Sequence, residues 1–308
     1  MVYIHCMKKS FLLFLIVVCS IQLMAQSFQW FDPIASPFPV VDGRGWHSNL
    51  ASAGEYIGFK TNSKSVIVTY VVKGNQSMPH MPSTGVAGVD LYAKNINGNW
   101  TWAKGSYKFG DTITYRFENM RLSQAIETFR IYLPLYTSVQ WMKIGVPEGS
   151  QFEFLPVNNE KPVVAYGTSI MHGACASRPG LAWTNILGRK LNQKIINLGF
   201  SGNGQLEEPV IDLINSIDAR MYILDCMPNL TLREQFPAEE IERRIRKSIA
   251  DLQSTHPNVP IILAEHCSGL DIVNMDAVMT ARYKAASEIA VEVFNKLKKE
   301  GIRNIYLL

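Results

Sequence analysis

The chain has 308 residues, 47% of them hydrophobic and 18% charged, with a net charge of +4. That balance excludes an intrinsically disordered chain, and the length suits two domains or one large one. The basic residues are scattered. Their densest cluster, Arg243, Arg244, Arg246 and Lys247, alternates with Ile241, Ile245 and Ile249. It reads as the solvated face of an amphipathic helix, so no nucleic-acid partner is expected.

Lys8 and Lys9 precede "SFLLFLIVVCSIQLMA", and the chain turns polar at Gln26. A basic start, a short apolar core and the small residue Ala25 predict a secretory signal over residues 1–25, with Met7 a candidate true start. Val18 stands before Cys19 where a lipoprotein signal wants a small residue, so a lipid anchor is not expected. No later run is long and apolar enough to span a membrane. Outside the leader stand Cys175, Cys226 and Cys267. An odd number gives no complete disulfide framework, and no C-x-x-C spacing offers a zinc site.

Residues 26–155 read as short strands between turns. "SVIVTYVV" (65–72) is β-branched and aromatic; "GVDLYAK", "NWTWAKG", "DTITYRF", "ETFRIYLPLY" and "VQWMKIGV" follow. Asn97-Gly98 and Gly110-Asp111 mark turns. A β-sandwich, jelly-roll-like, is predicted here. The stretch from Pro147 to Pro162 has the composition of a linker. From residue 160 to 308 the pattern changes to strand and helix in alternation. "VVAY", "KIINLGF", "RMYILDC", "VPIILAEH" and "IRNIYLL" are strands. "WTNILGRKL", "EEPVIDLINS", "PAEEIERRIRKSIADLQ" and about Asp276 to Lys299 are helices. This alternation predicts an α/β fold, a parallel sheet with helices on both faces.

Ligands of such sheets bind beyond the carboxyl ends of the strands. Ser169 follows strand one, behind Gly167. A hydroxyl on a tight glycine turn is exposed, as an acyl-transfer nucleophile needs. The same residue equally reads as the cap of the next helix. Gly202 follows strand two, and its N–H can approach an oxyanion unobstructed. Asn229 follows strand three and can donate a second hydrogen bond; one such donor is worth about 3 kcal/mol.

"YGTSI", "NLGFSGNG" and "DCMPNL" resemble the first three blocks of the SGNH (GDSL-type) hydrolases. The resemblance implies a flavodoxin-like three-layer domain, with Ser169 as nucleophile and Gly202 and Asn229 as oxyanion donors. The usual Gly-Asp-Ser is Gly-Thr-Ser here, and the Gly-x-Asn-Asp block is Met-Pro-Asn-Leu. "GVDLY" (Gly88 to Tyr92) is similar to the signature of the β-domain in one secreted bacterial branch, as are "ASRPG" and "LPLYTSVQWMKIGV". That likeness implies a secreted ester hydrolase without a cofactor, a carbohydrate (acetyl) esterase acting on a small-molecule or glycan ester.

A serine nucleophile needs a base. In this family it comes from an Asp-x-x-His block after the fifth strand, and no such block is present. The sequence therefore reads as a shortened product, with weak activity and a bare apolar sheet face beside strand five. "STHPN" (254–258) lies at the opposite edge of the sheet and reads as a turn. His266, after strand four, and His172, just past Ser169, are the substitutes to weigh. Arg178 either contacts substrate or pairs with a carboxylate; Glu265 is an acceptor at the same edge. Trp30, Trp46, Trp100, Trp102 and Trp141 suit either sugar stacking or packing. The rival reading is a carbohydrate-binding protein with an inactive hydrolase-like domain. Nucleotide binding is disfavoured, because "GFSGNG" has the wrong glycine spacing for G-x-G-x-x-G.

Overall fold

A computed structural model describes residues 26–33, 41–42, 53–157, 159–266 and 276–308. The expected leader, Trp46 and Cys267 lie outside the described residues. The N-terminal half holds β1 (Phe28–Phe31), β2 (Val41–Asp42), β3 (Tyr56–Thr61), β4 (Val66–Lys73), a one-turn helix α1 (Ser83–Val86), β5 (Asp90–Lys94), β6 (Trp100–Ala103), β7 (Ser106–Lys108), β8 (Ile113–Phe117), β9 (Glu127–Tyr132), β10 (Ser138–Pro147) and β11 (Phe152–Phe154). Alternation drives these strands. In β8, Ile113, Tyr115 and Phe117 are buried while Arg116 is exposed, because successive side chains point to opposite faces.

Two antiparallel sheets result, in the orders β1-β10-β4-β8-β7 and β11-β3-β9-β5-β6, with β2 on β3. Their facing sides enclose one core that includes Phe59, Val68, Tyr70, Leu91, Phe129 and Ile144. Gly98, at φ +81°, makes the turn between β5 and β6, as its Asn-Gly pair predicts. The first part of the segment expected to be a linker, through Phe154, belongs to this sandwich instead; among the described residues no strand follows until Val163. β11 pairs with β3, because Phe152 stacks on Phe31 at 4.1 Å and on Phe59 at 5.1 Å. Two phenylalanines one residue apart outweighed the polar composition around them.

The second half forms β12 (Val163–Gly167), α2 (Ser169–His172), α3 (Trp183–Leu191), β13 (Ile195–Gly199), α4 (Glu208–Asn215), β14 (Met221–Asp225), α5 (Ala238–Thr255), β15 (Ile261–Leu263), α6 (Ala277–Lys299) and β16 (Ile305–Leu307). The sheet is parallel, in the order β13-β12-β14-β15-β16. The first crossover runs one way and the later three run the other. Right-handed crossovers therefore put α3 on one face and α4, α5 and α6 on the opposite one. The larger core, with Tyr166, Leu198, Tyr222, Ile245 and Val293, lies under α4–α6. The smaller, with Ala165, Met171 and Ile223, lies under α2 and α3. On the edge strand, Tyr306 and the adjoining Leu308 are exposed.

On α5, Ile241, Ile245 and Ile249 are buried. The arginines opposite pair with Glu240, Glu242 and Glu300. His256 closes that helix and sits against the Asn215 carbonyl, in the turn expected there.

Candidate active site

The strand order reverses at β12, so its C-terminal end is the switch point where a crevice opens. Gly167 ends the strand against β14, where an added Cβ would stand 2.5 Å from the Asp225 carbonyl oxygen. Thr168 then caps α2, its hydroxyl accepting from the Ile170 N–H at 3.3 Å. This separates the two readings of Ser169. The cap is its neighbour, and Ser169 is the first helical residue, half-buried, with its hydroxyl free of capping duty.

The loop after β13 folds back over this turn. The Phe200 N–H donates to the Gly167 carbonyl at 2.9 Å. Gly204, at φ +75°, presses so close that a Cβ would meet the same oxygen at 2.2 Å. Between them Gly202 (φ +76°) is exposed, with nothing within 4 Å of where its Cβ would be. The Asn229 side chain, from the loop after β14, donates to the Asn203 carbonyl at 2.5 Å. The three loops carrying Ser169, Gly202 and Asn229 are thus stitched together at one edge. One Asn229 N–H is spent on that tie, and its carboxamide carries a second.

Asn197 supports the arrangement from beneath, and sequence reasoning missed it. It is buried in β13; its Nδ2 donates to the Met171 carbonyl (2.8 Å) and the Thr184 hydroxyl (3.0 Å), and its Oδ1 accepts from the Gly199 N–H (2.9 Å). The signal was a carboxamide inside an apolar strand, a residue that must find partners when buried. Gly199 leaves room for no side chain, since a Cβ would stand 2.1 Å from the His172 backbone nitrogen.

The remaining candidates separate. His172 does not line an open site. Its ring is buried at the boundary between the two halves, Nδ1 lying 2.9 Å from the Gly199 carbonyl oxygen and Nε2 2.5 Å from that of Leu135. Each nitrogen faces a carbonyl oxygen; burial holds the pKa below the ordinary histidine value, and the neutral ring donates to one of the two. Arg178 has the carboxylate partner. Its Nε is 3.3 Å from Asp90 Oδ2, and its guanidinium lies 4.1 Å over the Trp102 ring. Asp90, the acid of "GVDLY", also accepts from Trp102 Nε1 at 2.7 Å and the Gly180 N–H at 3.1 Å. Trp102 is thereby fixed at the domain boundary, still 41% exposed.

A cavity of about 500 Å³ is lined by Ile170, the residue after Ser169, and by Trp183, Ile223, Asp225, Glu265 and His266, among others; Ser169, Gly202 and Asn229 are not in its lining. His266 is buried and stacks on Tyr283 at 4.1 Å. Glu265 is exposed and its N–H donates to the Leu308 carbonyl. Burial pushes the Asp225 carboxyl up to about 6.

A β-sandwich followed by a doubly wound parallel sheet, with a serine on the switch-point turn, places the chain among three-layer α/β proteins whose sites lie beyond the strand ends. Residues 160–308 match the GDSL-like lipase/acylhydrolase family, and residues 40–152 match the GxDLY N-terminus of SGNH-hydrolase-type esterases. The chain belongs to the SGNH (GDSL-type) hydrolases. A protein of Bacteroides ovatus ATCC 8483 assigned as a GDSL-like lipase superposes with a TM-score of 0.78 at 28% identity, over 92% of this chain and 87% of its own. The salicylyl-acyltransferase SsfX3 of a tetracycline biosynthetic pathway gives 0.66 at 18%, over 91% and 84%. A family two carbohydrate esterase of Cellvibrio japonicus gives 0.52 at 12%, over 92% and 88%. At such identities the last two speak for the fold. No protein of curated function matches the sequence.

Proposed function

We propose that this chain is a secreted serine esterase acting on acylated carbohydrates. Ser169 Oγ attacks the ester carbonyl. The Gly202 N–H, the Asn229 carboxamide and the Ser169 N–H receive the oxyanion; the ester C–O bond then breaks, the sugar alcohol leaves with the proton the serine gave up, and water releases the acid from the acyl-serine and restores the hydroxyl. The observation that carries this reading is the stitching of the three loops around a serine whose capping role belongs to Thr168. Substrate class and secretion rest on the carbohydrate esterases that share the fold and on the composition of residues 1–25. Among the described residues no helix is long and apolar enough to cross a membrane.

His172, buried between two carbonyl oxygens at the boundary of the two halves, is poorly placed to serve as the base. Among the described histidines, His266 lines the cavity shared with Ile170 and is the one to test. The experiment is labelling by a fluorophosphonate together with acetate release from acetylated xylan. Ser169→Ala abolishes both if the reading holds. Labelling that survives the substitution defeats it. His266→Ala at full rate assigns the base elsewhere.

A further inference from the structure

A short strap, residues 133–137 between β9 and β10, is one of the places where the β-sandwich reaches the site. The strap belongs firmly to the sandwich. The Leu133 N–H donates to the Glu55 carbonyl at 3.0 Å, Leu135 to Gly85 at 3.3 Å and Tyr136 to Val86 at 3.0 Å. Its other side faces the parallel-sheet domain. The Leu135 carbonyl oxygen meets His172 Nε2, and the Tyr136 ring stacks on the His172 ring at 4.4 Å and 28°. The Tyr136 hydroxyl faces Ser201, next to Gly202.

His172 ends the short helix that Ser169 begins, and its second nitrogen faces the carbonyl of Gly199, where the loop holding Gly202 departs. One imidazole thus touches the nucleophile helix, the root of the oxyanion loop and the other domain. Ser201, exposed beside Gly202, is the loop residue nearest the strap's tyrosine hydroxyl.

We infer that Tyr136 and His172 are positioning residues, through which the 133–137 strap of the β-sandwich sets the oxyanion loop. The inference rests on the assignment of Ser169 and Gly202 given above. The sandwich is then a working part of the hydrolase rather than a separate module. The reason is geometric. Gly202 is exposed, with φ +76° and open space around it, so its N–H direction depends on what holds its neighbours. Oxyanion donors help only when fixed in advance.

The test compares Tyr136→Phe, Trp102→Phe and Ser169→Ala with the unmodified chain. Hydrolysis of p-nitrophenyl acetate gives kcat and KM, fluorophosphonate labelling gives the acylation rate, and thermal unfolding gives Tm. Tyr136→Phe keeps the stacked ring and removes the hydroxyl. Its expected effect is a fall of about 5- to 10-fold in kcat and labelling rate, the equivalent of one hydrogen bond, with KM and Tm unchanged. Trp102→Phe removes a donor to Asp90, the acid that holds Arg178 and Gly180 across the boundary, and has no link to the loop, so it lowers Tm and leaves kcat alone. Unchanged kcat in Tyr136→Phe overturns the inference while the nucleophile assignment stands. An equal loss of kcat in Trp102→Phe overturns it as well, because docking in general would then matter. If Ser169→Ala matches the unmodified chain, the nucleophile assignment itself falls and takes the inference with it.

Discussion

Asp90 and Arg178 meet across the boundary between the β-sandwich and the parallel-sheet domain, Oδ2 to Nε, at 3.3 Å. Asp90 is 2% exposed and Arg178 29% exposed. Burial raises the Asp90 carboxyl even beside the guanidinium. The acid of "GVDLY" therefore works as an interdomain lock with three donors around it. Gly180 belongs to the same lock, since a Cβ there would stand 2.3 Å from the Tyr92 ring and 2.6 Å from Asp90 Oδ2.

Asp90→Ala should destabilise the protein by about 3 kcal/mol, the lower end for removing one partner of a buried pair, because Arg178 is partly wet. It strands the Trp102 and Gly180 N–H groups together with the guanidinium. Asp90→Asn keeps an acceptor and should cost clearly less. Urea unfolding of the two variants measures the difference; equal losses would mean that the lock is packing alone.

Much of this architecture was legible in the sequence, and the failures are instructive. The strands and helices of the second half carry strong periodicity, and the parallel sheet with helices on both faces followed from their alternation. β11 was hidden because Phe152 and Phe154 gain their partners, Phe31 and Phe59, from remote sequence. Ser169, Gly202 and Asn229 could be placed at strand ends by a rule about parallel sheets. The role of Thr168 could not, because two adjacent hydroxyl residues at a helix start look alike until the backbone shows which one precedes the first turn. Nothing local in "LPLYTS" reveals that Tyr136 faces His172. That contact exists only because two domains dock.

Thr168→Ala removes the cap of the nucleophile helix. The expected loss is about 1 kcal/mol, and acylation of Ser169 should slow with it, since the freed Ile170 N–H sits in the same turn. Thr168→Ser retains the hydroxyl and should recover most of both. Denaturant titration and labelling rate on the two variants check this. A Thr168→Ser protein as impaired as Thr168→Ala would assign the effect to the lost methyl.

Gly202 and Gly204 share a left-handed backbone but not a neighbourhood. Gly202→Ala meets open space, so it should fold with a cost of about 1–2 kcal/mol for the backbone alone. Gly204→Ala drives its Cβ into the Gly167 carbonyl, a rigid strand end that cannot yield. It should displace the oxyanion loop, loosen the Asn229–Asn203 tie and cut fluorophosphonate labelling by tenfold or more. Thermal unfolding and labelling of both variants make the comparison, and similar behaviour in the two would remove the loop contact as a determinant.

Asp225 gives a pH signature. Its carboxyl is raised by burial from 3.8 to about 6, so the folded state favours the protonated form. For an acid raised on folding, the stabilising contribution is fully present below the unfolded value near 4. It is lost as pH climbs through about 6. A shift of that size corresponds to about 3 kcal/mol, and partial solvent access brings it to roughly 2 kcal/mol. Asp225→Asn abolishes the titration. The variant should gain stability over the unmodified chain at pH 8 and gain little at pH 4, with the difference opening between those limits. Measuring the variant-minus-parent difference at each pH cancels the carboxylates of α5, such as Glu240, which its arginine neighbours lower to about 2. A difference that stays flat from pH 4 to pH 8 would mean that water reaches Asp225 freely in the cavity that it lines with Ile170 and His266.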